Sequence, residues 1–159
     1  MSEVRKVKAA SIFPLISELL DLGQKAKLLV SGSSMYPFLR DEIDSVELAK
    51  VSFKQISRGD IVMIRRTDGS YVMHRVFKKN EDCFYMVGDA QQWIEGPLYS
   101  NQLVAVVTAV WRQDMYISCS NKWWRLLSWI WLCLRPFRFH IIRVNSKVRK
   151  LLKLKSSKN

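Results

Sequence analysis

A serine-rich turn supplies the first group in this sequence that could do chemistry. Ser34 lies in residues 31–37, SGSSMYP, directly after an apolar run that ends at Val30. A nucleophilic serine needs an exposed hydroxyl at the end of a strand, with free backbone N–H groups nearby to hold an oxyanion. Serine-rich turns without any catalytic role are common, so the turn alone makes Ser34 a candidate nucleophile and no more.

A histidine supplies a candidate general base. His74 lies in the run VMHRV at residues 72–76, and strand alternation places it on the same face as Val72 and Val76. A histidine on an apolar strand face is more often a core residue than a catalyst. An imidazole is nevertheless the side chain best suited to take a proton from a serine near neutral pH.

Two carboxylates could complete the set. Asp89 follows Gly88 at the end of an apolar run, and Glu95 lies six residues further on. Either carboxylate could accept the imidazole N–H and fix its tautomer, which gives a triad in the order serine, histidine, acid. A turn with a solvated aspartate is the alternative interpretation of Gly88-Asp89. The residues themselves leave the choice between the two acids open.

Four short blocks occur in the order and at the approximate spacing of a known family. They cover roughly residues 28–110 and read SMYP at 34–37, RGDIV at 58–62, HRV at 74–76 and GD at 88–89. This region resembles the type I signal peptidases and their relatives, the self-cleaving SOS-repressor proteases. The resemblance implies a small, mainly β, antiparallel protease fold in which a serine acts with a general base on a neighbouring strand.

The resemblance also implies which residue is the base. Most bacterial signal peptidases and the SOS repressors use lysine, whereas the endoplasmic-reticulum type has histidine in an H-R-V block, as at residues 74–76. Lys78 and Lys79 follow His74 by four and five positions, roughly 13 Å or more along a strand at about 3.3 Å per residue. A Ser–Lys dyad is therefore the poorer assignment, and the implied pair is Ser34 with His74.

Two positions depart from the family pattern. The endoplasmic-reticulum type usually has a further aspartate several residues after its G-D block; the nearest counterpart here is Glu95, so Asp89 and Glu95 both remain candidates. Many bacterial signal peptidases place a serine two residues before the nucleophile to help hold the oxyanion, and Gly32 stands there. We therefore expect backbone N–H groups near the nucleophile to hold the oxyanion, with Ser31 or Ser33 as additional donors.

Hydropathy patterns predict the elements that position these residues. Apolar residues at i, i+3 and i+4 spacing over residues 12–20 predict an amphipathic N-terminal helix that stops at Gly23. Short β-type runs separated by turns follow, and Asp68-Gly69 is a strong hairpin signal. The predicted strands are Lys27–Val30, Asp44–Leu48, Ile61–Arg65, Tyr71–Phe77, Phe84–Val87, Leu103–Val110 and Met115–Ser118. The fold class is therefore mainly β.

The composition changes abruptly after Asn121. Tryptophans occupy positions 123, 124, 129 and 131, and Pro136 ends this apolar run. The 159-residue chain has a net charge of +12; residues 1–121 carry 15 Lys/Arg against 14 Asp/Glu, whereas residues 122–159 carry 11 Lys/Arg and no acid. We therefore divide the chain into an N-terminal helix (1–25), a signal peptidase-like catalytic domain (26–121) and a Trp-rich basic helical tail (122–159).

This tail is the part of the chain that we expect to meet a membrane. A helix of about 12 residues covers roughly 18 Å, too short for about 30 Å of hydrocarbon. Tryptophan favours the headgroup region and polybasic segments are drawn to anionic lipid, which predicts peripheral association through residues 123–158. Tryptophans packed on the β domain, with a solvated basic tail, are the alternative. Without a recognisable signal peptide, we expect the cytoplasmic face, with the extracytoplasmic face as the alternative.

The expected function is a serine endopeptidase that cleaves a signal, leader or precursor peptide through an acyl-enzyme on Ser34. The alternative is a catalytically inactive module that keeps the protease fold and grips peptides at a strand edge. A self-cleaving repressor needs a DNA-binding domain, for which one helix in the first 25 residues is too little, and no nucleic-acid partner is expected. Three scattered cysteines and two histidines predict neither disulfides nor a metal site, and no cofactor is expected.

Overall fold

The N-terminal helix covers one side of the domain. The structure, a computed structural model, describes residues 9–113, 115–138 and 140–143. Helix α1 spans Ala9–Asp21, and its inner face buries Ile16 and Leu20. Gly23 has a left-handed φ of 75°, and its N–H donates to Leu20 O at 3.0 Å. This C-terminal bond satisfies an otherwise free carbonyl and confirms both the predicted helix and its stop.

The rest of the domain is built on strands. Within the described residues there are eight: β1 Ala26–Leu29, β2 Asp44–Ala49, β3 Ile61–Arg65, β4 Tyr71–Lys79, β5 Phe84–Val87, β6 Glu95–Leu98, β7 Leu103–Arg112 and β8 Met115–Ser118. The seven predicted strands are confirmed. Strand β6 was not predicted, because its sequence EGPL has a glycine and a proline and no alternation; such a strand is tolerated at the edge of a sheet.

All neighbouring strands pair antiparallel. The order across the sheet is β1-β2-β7-β3-β4-β5-β6, with β8 also paired to β7. Strand β7 lies against β2 on one side; on its other side the first half pairs with β3 and the second half with β8. The protein is therefore a mainly antiparallel β structure. Strand β4, which contains the HRV block, is adjacent to β5, which the GD block follows.

Two apolar clusters pack on the two faces of the sheet. Because successive strand residues alternate, Ile61 and Met63 of β3 belong to the first core while Val62 and Ile64 belong to the second. Full burial of a large aliphatic side chain stabilises a fold by about 1.5–3 kcal/mol, so these clusters, and not the surface turns, hold the sheet together. The first core comprises Ile16, Leu20, Ala26, Val30, Met35, Leu39, Val46, Leu48, Ile61, Met63, Ala105, Val107 and Val110, and the second comprises Ile56, Val62, Ile64, Val76, Phe84, Met86 and Leu98.

The hairpin between β3 and β4 sets the register of the HRV block. Gly69 has a φ of 84° and its N–H donates to Arg66 O, while Ser70 N–H donates to the Asp68 carboxylate at 2.8 Å. This turn confirms the hairpin predicted from Asp68-Gly69. In the resulting register Val62 is the partner of His74, so the histidine lies on the face of the second core.

A second helix packs on the sheet after β8. Helix α2 spans Lys122–Cys133, and the side chain of Asn121 caps it by accepting the Trp123 N–H at 2.8 Å. Its inner face carries Trp124, which packs against the first core, and buries Ser128, Trp131 and Leu132. A short 3₁₀ turn, Arg135–Phe137, follows. Among the residues that the structure describes, no helix has the length and apolar character that crossing a bilayer requires.

Candidate functional site

The turn that carries Ser34 is fixed from both sides. Met35 and Leu39 are buried in the first core, which anchors the turn after β1. Gly32 has a φ of 96°, which favours glycine, and its N–H donates to Asp41 Oδ1 at 2.8 Å. This N–H is therefore already used, and Gly32 shapes the turn instead of holding an oxyanion. Ser33 is also a turn residue, since its carbonyl accepts the Tyr36 N–H at 3.1 Å.

The GD block lies directly against this turn. The Ala90 N–H donates to the carbonyl oxygen of Ser34 at 2.8 Å. At Gly88 an added Cβ would lie 2.8 Å from the same oxygen and 2.6 Å from Gln91 Oε1. A side chain cannot fit at this distance, so residue 88 must be glycine for the two segments to approach so closely.

This contact lies at the end of the β4–β5 pair. Val87 of β5 is the partner of Arg75 of β4, and Gly88 is the residue that follows Val87. His74 is the residue of β4 next to Arg75, so the Ser34 turn meets the sheet near the strand that carries the imidazole. No hydrogen bond joins the Ser34 hydroxyl to His74 within the described part of the chain.

His74 is buried next to a carboxylate. The residue is 3% exposed, and its Nδ1 lies 3.7 Å from Oε2 of Glu95. Nδ1 has no hydrogen-bond partner among the described residues. Burial lowers the pKa of His74 below its ordinary value of 6.5, while the charge of Glu95 opposes that shift. The ring is therefore neutral at pH 7, the protonation state that a general base requires.

Arg66 holds the carboxylate that faces the imidazole. Its Nε donates to Glu95 Oε1 at 2.5 Å and its Nη2 to Oε2 at 2.6 Å. This bidentate pair fixes the orientation of the Glu95 carboxylate, and Oε2 is the oxygen that faces His74. Sequence reasoning missed Arg66, because it follows β3 and lies 29 positions before Glu95, with no motif that links the two.

Asp89 has a different partner. Its carboxylate is fully buried and accepts two hydrogen bonds from Arg75, Nε to Oδ1 at 2.9 Å and Nη2 to Oδ2 at 2.7 Å. Arg75 also donates from Nη1 to Gly59 O and to Ser128 Oγ, both at 2.8 Å. Of the two acids that the sequence left open, Glu95 faces His74, whereas Asp89 joins the GD, HRV and RGDIV blocks through Arg75.

Helix α2 contributes to this scaffold, which the division of the chain at residue 122 did not anticipate. Trp131 Nε1 donates to Asp89 O at 3.1 Å. The buried Arg138 donates from Nε to Trp131 O at 3.0 Å and from Nη1 to Gly88 O at 3.3 Å. Burial lowers the pKa of Arg138 to about 10. The helix and the turn after it therefore hold the 88–90 segment against the Ser34 turn.

Other candidate nucleophiles and bases are placed elsewhere. Lys79 Nζ donates to the carbonyls of Lys54 and Ile56, both at 3.0 Å, and Lys78 is exposed. Burial raises the pKa of the Cys119 thiol to about 12, so it carries no thiolate at neutral pH. Within the described residues no group of three or more His, Cys, Asp or Glu side chains is arranged to hold a metal ion.

Comparison with protein-family models, with curated proteins and with solved structures finds no match to this chain. The geometry of the site and the chemistry of its residues therefore carry the functional argument.

Proposed function

We propose that this protein is a serine endopeptidase of the signal-peptidase type, with Ser34 as nucleophile, His74 as general base and Glu95 as the acid that orients the imidazole. One observation carries the proposal. The backbone of Ser34 meets the 88–90 segment, which follows the β5 residue paired with Arg75, and Nδ1 of the adjacent His74 faces Glu95. These contacts support a triad whose hydroxyl, imidazole and carboxylate come from distant parts of the chain.

The protonation states support this order of proton transfer. Because burial lowers the pKa of His74, the ring is a free base at neutral pH and can take the proton of Ser34 Oγ as that oxygen attacks a peptide carbonyl. Glu95, held by Arg66, stabilises the imidazolium that forms. His74 then gives its proton to the leaving amine as the peptide bond breaks and the acyl-enzyme forms. A water molecule, deprotonated by His74, hydrolyses the ester and releases Ser34.

The edges of the sheet favour a peptide as substrate. Strands β1 and β6 are the terminal strands of the order. The Ser34 turn follows β1, and Glu95 is the first residue of β6, so both edges lead to the candidate site. An extended peptide can add to such an edge through main-chain hydrogen bonds. We propose that the substrate is an extended segment of a signal, leader or precursor peptide.

A catalytically silent peptide-binding module is the second candidate. Two observations favour it: Ser34 has no hydrogen bond to His74 among the described residues, and Nδ1 of the imidazole lies 3.7 Å from Glu95, beyond hydrogen-bond distance. Catalytic contacts are often long before substrate binds, so this geometry is compatible with the enzyme as well. Whether the Ser34 hydroxyl reacts with a covalent probe distinguishes the enzyme from the binding module.

The test is covalent labelling with a fluorophosphonate, which reacts with activated serines. We expect the wild-type chain to be labelled at Ser34, Ser34→Ala to be unlabelled, and His74→Ala to react at least about a hundredfold more slowly. Ser33→Ala is the matched control, since it removes a neighbouring hydroxyl from the same turn and should react like the wild type. A folded wild-type chain that remains unlabelled would support the binding module and contradict the enzyme.

A further inference from the structure

Helix α2 exposes a continuous apolar stripe on its outer face. Trp123, Leu126, Leu127 and Ile130 follow i, i+3, i+4, i+7 spacing, the pattern of one helix face. The exposed fraction is 73% for Trp123 and 53% for Leu127. Isolated exposed apolar residues are ordinary, whereas a contiguous stripe of this kind marks an interaction surface.

The inner face of the same helix is already occupied. Ser128 and Trp131 are buried there and bond to Arg75 and Asp89 O, respectively. The stripe is therefore a second apolar face, on the side of the helix turned away from the β domain. Packing within the described part of the chain does not account for it.

The basic composition of this part of the sequence indicates the occupant. Lys122 lies on the helix and is exposed, and residues 122–159 contain 11 Lys/Arg and no Asp or Glu. Tryptophan favours the headgroup region of a bilayer, and clustered Lys and Arg are attracted to anionic lipid. Apolar and basic signals together are what stable surface attachment requires. This combination fits an anionic lipid surface better than a second copy of the same basic segment, which would repel the first.

A neighbouring loop extends the apolar surface. Trp93 and Ile94 are exposed in the segment that leads from Asp89 to Glu95. Arg135, just after the helix, donates from Nη2 to the carbonyl of Gln92 at 2.5 Å. The exposed residues of this loop therefore lie close to the end of α2.

We propose that the outer face of α2 docks this chain on an anionic lipid surface, with the helix lying in the interface. At 12 residues the helix is about 18 Å long, so it is suited to lying along the surface. Because its inner face holds the 88–90 segment through Trp131, docking places the candidate site next to the lipid. This proposal does not depend on whether Ser34 is catalytic.

The test is sedimentation of the full chain with lipid vesicles. The vesicles contain phosphatidylcholine alone or with about one third phosphatidylglycerol. We expect the wild type to bind the anionic vesicles, and binding to weaken when NaCl is raised from about 0.1 to 0.5 M, because salt screens the charges. Trp123→Ser with Leu127→Ser should weaken binding at least about tenfold, since tryptophan favours the headgroup region and leucine favours burial in apolar surroundings.

The matched control is Leu15→Ser with Leu22→Ser, which removes two exposed leucines in and after α1 and should bind like the wild type. Circular dichroism checks that each variant is folded; if the α2 double variant is not, Trp123→Ser alone serves. Wild-type chain that remains in the supernatant, or an α2 variant that binds as tightly as the wild type, overturns the proposal. A dimer that the α2 variant dissociates, without lipid binding by the wild type, overturns it in favour of a second copy.

Discussion

The carbonyl oxygen of Ser34 accepts the backbone N–H of Ala90 at 2.8 Å. This bond joins the turn after β1 to the segment after β5, which are more than 50 positions apart in the chain. Because β5 pairs with β4, the strand that carries His74, the bond ties the candidate nucleophile to the segment that leaves this pair of strands.

Gly88→Ala tests how closely this contact must fit. A Cβ at residue 88 would lie 2.8 Å from Ser34 O and 2.6 Å from Gln91 Oε1, so the Ser34 turn must move away. A displacement of about 1 Å can slow a reaction about a hundredfold, and we expect that loss in the rate of fluorophosphonate labelling. Gly69→Ala is the control: its φ of 84° is strained too, but nothing lies within 4 Å of an added Cβ. Equal labelling rates for the two variants would contradict the account.

Asp89→Asn should lower the stability of the fold. Both oxygens of the buried Asp89 carboxylate bond to Arg75, and removal of one charge from a buried pair leaves the other without compensation. Such changes cost about 3–5 kcal/mol. We expect the free energy of unfolding, measured by urea denaturation at pH 7, to fall by about that amount. A loss below about 1 kcal/mol would show that the pair does not hold the site together.

Glu95→Gln should slow the reaction of Ser34 with the fluorophosphonate. The carboxylate is partly exposed and its main partner is Arg66, so its neutralisation leaves the fold largely intact but removes the acid that faces His74 Nδ1. We expect labelling of Ser34 to slow about a hundredfold to ten-thousandfold, with a smaller loss of stability than Asp89→Asn causes. The reverse pattern, a reactive Glu95→Gln protein and an unreactive but stable Asp89→Asn protein, would assign the orienting role to Asp89.

The pH dependence of labelling follows from the surroundings of His74. Burial lowers its pKa below 6.5, Glu95 opposes that shift, and Arg66 adds to it. The base must be unprotonated, so the labelling rate should rise with pH, with its midpoint below pH 6.5. Arg66→Gln removes a nearby positive charge and should move this rise to higher pH, whereas Glu95→Gln should move it to lower pH. Rates measured between about pH 4.5 and 8 test the two directions, and identical profiles for all three proteins would exclude His74 as the titrating base.

The lowered pKa of His74 also makes the free energy of unfolding depend on pH. Because the pKa of His74 is lower in the folded chain than the 6.5 of the free side chain, the unfolded chain binds more protons between these two values. The free energy of unfolding should therefore decrease as the pH falls from about 6.5 towards the pKa of the folded state. His74→Asn should reduce this decrease.

The sequence predicts the strands well and the contacts between distant segments poorly. Seven strands followed from alternation and turn residues, since local patterns decide them. Strand β6 was missed because Gly96 and Pro97 break the pattern, and it forms only by adding to β5. The Arg66–Glu95 pair was missed for a related reason: each residue is ordinary in its own neighbourhood, and only the fold brings them together.

For the candidate site, too, the sequence indicates the local residue types but not the contacts between distant segments. Ser34, His74 and Asp89 were recognisable as residue types in ordered blocks, and Glu95 as the acid that follows the last block. The sequence did not show that Asp89 and Glu95 have different partners, because those partners are set by side-chain packing across strands. Nor did the abrupt change in composition after Asn121 reveal that Trp131 and Arg138 bond to the 88–90 segment.

The most direct measurement of the central claim is cleavage of a peptide library derived from a whole proteome, with products identified by mass spectrometry. We expect the wild-type protein and Ser33→Ala to cut the same set of peptides, and Ser34→Ala, folded to the same extent, to cut none of them. If Ser34→Ala cuts the same peptides as the wild type, the hydroxyl at residue 34 is not the nucleophile and the proposed enzyme is contradicted.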